Sequence, residues 1–108
     1  MLAGEHTLAA INRTYYTVYY AICALLFSKG VHARTHQGAH SKFNELFVKS
    51  GLFTIEEAKL VSDSFALRQT ADYDFEATIS DATAYDLVRR TRIFLDTVIA
   101  YFRLYDYF

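Results

Sequence analysis

The amino-acid sequence predicts an all-α fold, an up-and-down bundle of about four long helices, on three observations. Apolar residues recur at three- and four-residue spacing along most of the chain. Proline is absent and the only glycines are Gly4, Gly30, Gly38 and Gly51, so the stretches between natural breaks are long. No segment alternates apolar and polar residues over the length of a strand.

The first helix is expected from about Glu5 to Lys29, with Leu8, Ile11, Tyr15, Val18, Tyr19, Ile22 and Leu26 on one face. Gly30 suits the left-handed residue that closes a helix. Tyr16, Tyr20, Cys23 and Phe27 make a second apolar side, so this helix is either central in the bundle or packed on another subunit. Tyrosines tolerate a wet edge, which favours the second arrangement.

The second helix is expected from near Thr35 to Ser50, with Phe43, Leu46 and Phe47 on one side and Gly51 as its stop. Thr54 opens the third. With Glu57 it forms a Thr-x-x-Glu capping box, in which each side chain satisfies a backbone donor left free at the helix start. Ala58, Val61, Phe65 and Ala66 are its expected buried face, and it should end around Asp72 to Phe75, where the apolar period lapses. Ser80, or Thr78 before it, suits the N-cap of the last helix, and Asp81 is favourable against the positive end of the helix dipole. Leu87, Thr91, Phe94, Leu95, Val98, Phe102 and Tyr105 continue its stripe. The short connections favour antiparallel neighbours.

With 108 residues, the chain is the size of one domain that can bury a core without disulfides or metal, so residues 1–108 are expected to form a single domain. Hydrophobic residues make up 53% and aromatics 17%, more apolar surface than a monomer of this size easily hides, which argues for a second copy as partner. Eleven basic against twelve acidic side chains leave no global field to draw in nucleic acid, so any such contact must be local. The single Cys23, inside an apolar stretch, reads as a packed, reduced thiol. That stretch is shorter than the roughly 20 apolar residues a bilayer requires, and no basic leader with a cleavage site opens the chain, so a cytoplasmic protein with no membrane contact is expected.

Candidate chemistry is sparse. His32, His36 and His40 have the four-residue spacing that would align imidazoles on a helix, but Gly30 and a helix start near Thr35 break the line, so neither metal nor cofactor is expected. Arg34 and His40 form one basic pairing. Arg68 lies before the end of the third helix, followed by Asp72, Tyr73 and Asp74; an ion pair with Asp72 one turn on would contribute only about 0.3 kcal/mol. Arg89, Arg90, Arg92 and Arg103 give the last helix a basic side, for which a solvated face is the commoner explanation. Arg13, among Ala9, Ala10, Tyr15 and Tyr16, is expected to be buried with a partner, a structural anchor first and a functional residue second.

Four stretches together resemble the HEPN family: Arg13-Thr-Tyr-Tyr, Gly30 followed by Thr35-His36-Gln-Gly38, Phe47-Val-Lys-Ser-Gly51, and Leu67-Arg68-Gln-Thr-Ala-Asp72-Tyr73. Their order and spacing are similar to the small stand-alone bacterial and archaeal branch. The resemblance implies an HEPN-like helical bundle that dimerises, is often encoded beside a minimal nucleotidyltransferase, and belongs to toxin–antitoxin or defence systems, many members being metal-independent ribonucleases. In those nucleases an Arg is followed after four to six residues by His, and two such motifs meet across the dimer interface. An imidazole and a guanidinium can assist attack by the ribose 2′-hydroxyl and stabilise the charged phosphorane.

Arg68 matches the motif's arginine, but Tyr73 stands five residues on, with Asp72 before it. Tyrosine, with an ordinary pKa of about 10, is a poor base at neutral pH, and loss of the His would cost on the order of a hundredfold in rate. Three functions therefore follow from the resemblance. The first is a non-catalytic or weakly active module binding nucleotide, RNA or a nucleotidyltransferase partner, with Arg13, His36, Arg68 and Asp74 as its binding residues. The second is a ribonuclease with Arg68, Tyr73 and Asp72 as catalytic residues at a homodimer interface, helped by His36 or His40. The third is a structural dimerisation domain.

Overall fold

A computed structural model describes residues 5–73 and 79–105, with the side chains of Glu5 and Tyr73 left aside. Four helices form an all-α bundle, with no strand among the described residues. They are α1 (Glu5–Ser28), α2 (His36–Phe43), continued by a π-helical turn (Asn44–Val48), α3 (Ile55–Tyr73) and α4 (Asp81–Leu104).

The local signals act as expected. Gly30 takes a φ of 72°, and Gly30 N–H and Val31 N–H donate back to the carbonyls of Phe27 and Leu26, each at 2.9 Å, ending α1 in a left-handed cap. Thr35 caps α2 by accepting from Gly38 N–H at 2.9 Å. Gly51, with φ 84°, stops the π turn. At α3, Glu57 N–H donates to Thr54 Oγ1 (3.2 Å) and Thr54 N–H donates to Glu57 Oε1 (2.9 Å), completing the capping box. Ser80 caps α4 by accepting from Thr83 N–H at 3.1 Å. Thr78 and Asp74 lie outside the described residues.

α1 packs against each of the other helices. Its Ile11, Tyr15, Val18, Ile22, Leu25 and Leu26 are buried, and Phe43, Phe47, Phe53 and Phe94 meet them as a largely edge-to-face aromatic core. α3 runs against α1: Arg68, late in α3, reaches Asn12 and Tyr16 in the first half of α1. α4 runs with α1, since Thr7 bonds Asp81 at one end and Ser28 meets Tyr101 at the other.

The first connection departs from the antiparallel expectation. Residues 31–34 carry no regular structure and return the chain alongside α1, so the start of α2 faces the middle of α1 while Phe47, past its end, lies under Lys29. The seven residues 29–35 can span the roughly 20 Å that such a return needs.

Other differences lie in which sides are covered. On α3, Leu60, Val61 and Ser64 are buried, Ala58 and Phe65 are half-buried and Ala66 is exposed, a rotation of the expected face. Tyr105, beyond α4, is 51% exposed rather than packed. Tyr20 and Phe27 are 65% and 76% exposed, so α1 keeps one side open rather than being enclosed all round. Cys23 is half-buried and free. Arg13 is exposed, and among the described residues its guanidinium has no hydrogen-bond or ion-pair partner, which corrects the expectation of a buried anchor. Adjacent helix positions are 100° apart, so apolar sequence neighbours do not enclose a residue. No described helix is long and apolar enough to cross a membrane.

Candidate functional site

The spacing of Asn12, Tyr15, Tyr16 and Tyr19 places these four side chains along one flank of α1, where the start of α2 and the last turns of α3 converge. Arg68 reaches this flank from α3. Its Nη2 donates to Tyr16 Oη at 3.0 Å and its Nε to Asn12 Oδ1 at 3.4 Å, while Asp72 Oδ2 lies 3.5 Å from Nη2. The guanidinium carbon sits 5.1 Å and 5.0 Å from the ring centres of Tyr15 and Tyr16. Cation–π contact and three polar partners from two helices thus hold a planar five-donor cation with 22% of its side chain open to solvent.

Tyr15, fully buried, shares a hydrogen bond of 2.6 Å with His36 Nδ1. Burial pushes its phenol up to about 12, partly offset by the nearby Arg68 charge, so it keeps its proton throughout the neutral range. Where Tyr15 donates, His36 Nδ1 accepts and the imidazole proton resides on Nε2. The His36 ring is also 4.1 Å from that of Tyr19, whose phenol is raised by burial and then by its contact with Cys23. One turn further, His40 is held below the usual imidazole range, first by burial and then by the charge of His36. Its Nε2 is buried without a hydrogen-bond partner among the described residues, and its ring stands edge-on to Phe65 at 4.9 Å.

The fold therefore brings together Arg68, Asp72 and His36 from the expected set. It leaves Arg13 on the outside of α1. Tyr73 closes the α3 backbone, and its side chain, like the whole of Asp74, lies outside the described residues. His32 and Arg34 are exposed. Among the described residues, no group of three or more His, Cys, Asp or Glu is placed to hold a metal ion. Two arginines of the basic side of α4 are paired: Arg89 with Asp86 at 2.9 Å, and Arg90 with Asp63 at 3.0 Å and Asp86 at 3.7 Å. Sequence reasoning missed Asn12, Tyr15, Tyr16 and Tyr19 as site-builders. Their helical register is visible in the sequence, but the same Arg-Thr-Tyr-Tyr run carries a charged residue, Arg13, that is the more conspicuous candidate.

Chemically, Arg68 offers a pre-oriented fork whose carboxylate and amide partners are replaceable by phosphate oxygens, and His36 offers a proton donor or acceptor beside it. The two share Tyr15 and Tyr16 as ring neighbours.

The HEPN domain model matches residues 1–101. A UPF0332 protein of Thermotoga maritima is 34% identical over 91% of this chain and 74% of its own length. Two proteins of Methanocaldococcus jannaschii, each named a putative toxin, are 32% and 26% identical over 85% and 82% of this chain. The chain spans 63% and 66% of those two relatives, so each is longer than the part it shares. No solved structure matches. The family model over nearly the whole length, together with these relatives, shows that the chain belongs to the HEPN domain family.

Proposed function

We propose that the protein is a toxin-type HEPN module that holds an RNA phosphodiester at Arg68 with His36 beside it, and that it binds RNA more effectively than it cleaves it. The observation that carries this is the Arg68 guanidinium, held by Tyr16, Asn12 and Asp72 and stacked on two tyrosine rings yet open on one side. Such a cation meets phosphate without first losing side-chain freedom. The toxin names of two relatives agree with this reading. Binding is favoured over turnover because the residue five positions after Arg68 is a tyrosine, a poor base at neutral pH.

A second reading, metal-independent cleavage, is favoured by one observation: His36 supplies an imidazole across Tyr15 from Arg68. It could serve as the general acid or base while Arg68 stabilises the phosphorane. One experiment decides between the two. Purified wild type, Arg68→Ala and His36→Gln are incubated with RNA in EDTA, and binding is followed in parallel by anisotropy. The binding module predicts intact RNA and at least about tenfold weaker binding by Arg68→Ala. Cleavage lost in both variants establishes the nuclease instead, whereas Arg68→Ala that only lowers thermal stability leaves a structural dimerisation domain.

The proposal includes two partners. One is a second copy, paired antiparallel through the outer side of α4, where Ile93, Ile99 and Leu104 stay exposed and Asp96 lies between Arg92 and Arg103. The other is the minimal nucleotidyltransferase that the family resemblance implies. Sedimentation of the protein alone and co-purification with such an enzyme test them.

A further inference from the structure

Beside the Arg68 cluster lies an aromatic row that the phosphate contact does not use. Tyr20 follows Tyr16 by one helical turn, and its ring is 6.0 Å from that of Tyr16, tilted by 30°. It is also 5.7 Å from the ring of Tyr19. Tyr16 accepts the hydrogen bond from Arg68, and Tyr19 lies against His36, so Tyr20 is one ring away from both the guanidinium and the imidazole. Tyr15, Tyr16 and Tyr19 are buried or half-buried, but Tyr20 is 65% exposed. An exposed ring backed by two others is restrained before anything binds it, which lowers the entropy lost on stacking.

We propose that Tyr20, supported by Tyr16 and Tyr19, is a stacking platform for an unpaired RNA base next to the phosphate held at Arg68. This rests on the reading of Arg68 as a phosphate contact and extends it to a substrate class, single-stranded RNA. The pairing of features matches the ligand: a cation for the backbone and an adjoining aromatic face for the base. A duplex offers phosphates but keeps its base faces stacked inside, so it gains only the Arg68 contact. Stacking on a phenol ring is tolerant of base identity, so the platform selects unpaired RNA rather than a sequence.

The test is fluorescence anisotropy with three probes: a mixed-sequence single-stranded RNA of about ten nucleotides, the same RNA annealed to its complement, and an abasic ribose-phosphate oligomer of equal length. The proteins are full-length wild type, Tyr20→Ala, Tyr20→Phe and Arg68→Ala, each checked for its melting temperature and its sedimentation. A base–aromatic stack is equivalent to roughly a fivefold to hundredfold change in affinity. Tyr20→Ala is expected to weaken single-strand binding by about tenfold, Tyr20→Phe to stay within about twofold, and the abasic oligomer to bind wild type and Tyr20→Ala alike. If Tyr20→Ala binds as wild type while Arg68→Ala does not, the platform is refuted and the phosphate reading stands. If neither variant weakens binding, both fall. If Tyr20→Ala loses RNA only together with a shift from dimer to monomer, Tyr20 is a contact between copies, and the platform is again overturned.

Discussion

Replacing Tyr15 by Phe isolates the bond that ties α2 to the centre of the candidate site. Tyr15 is fully buried and the ring is retained, so the apolar burial, the contact with Phe65 and the packing under Arg68 all persist. What is lost is the 2.6 Å hydrogen bond to His36 Nδ1. A net intramolecular hydrogen bond contributes about 1 kcal/mol, and because His36 is half-buried, water can take up its freed nitrogen. The expected cost is therefore about 1 kcal/mol, or about 4–8 °C in melting temperature for a domain of this size. Tyr15→Ala also removes the ring and leaves a cavity, at about 3–5 kcal/mol. Differential scanning calorimetry on both variants gives the magnitudes, and imidazole nitrogen NMR reports whether the tautomer balance of His36 changes in Tyr15→Phe. A melting temperature for Tyr15→Phe within about 1 °C of wild type, with an unchanged His36 signal, would refute the linkage.

Two further outcomes follow from the same geometry. Because His40 titrates below the ordinary 6.5 when folded, the unfolded chain takes up more protons in that window; its contribution is full above 6.5 and lost as pH falls toward the folded value. Thermal melts between about pH 8 and about pH 5 should therefore show acid destabilisation that His40→Gln reduces, and equal slopes in the two proteins would count against it. Thr54→Ala opens the capping box at α3 and should cost about 1 kcal/mol, with Thr54→Ser recovering most of it; chemical denaturation midpoints check both.

Much of the helical framework was legible because its signals are local. Gly30 and Gly51 end helical segments through a positive φ, and Thr35, Thr54 and Ser80 start them through side-chain caps, all within three or four residues. The Arg68–Asp72 ion pair belongs to the same class, being one helical turn long. The buried face of α3 is less legible: its periodicity points to Phe65 and Ala66, whereas Leu60 and Ser64 are buried, because a stripe of mixed small and large residues specifies a helix without specifying which azimuth its neighbours cover.

The sequence by itself determined four helices, the glycines that end the first two and the caps at Thr54 and Ser80, and it placed Phe43, Phe47 and Phe94, though not Phe53, on buried faces, while the family resemblance singled out one arginine, Arg68. Only the tertiary structure decided that this arginine rests on Asn12 and Tyr16, more than fifty positions away, and that His36 meets Tyr15. Those contacts depend on the direction the chain takes after Gly30, running back along α1, and on the antiparallel register of α3. Local periodicity carries neither quantity: it orients side chains about one helix axis, whereas the distances that make a site are set by how separate axes pack.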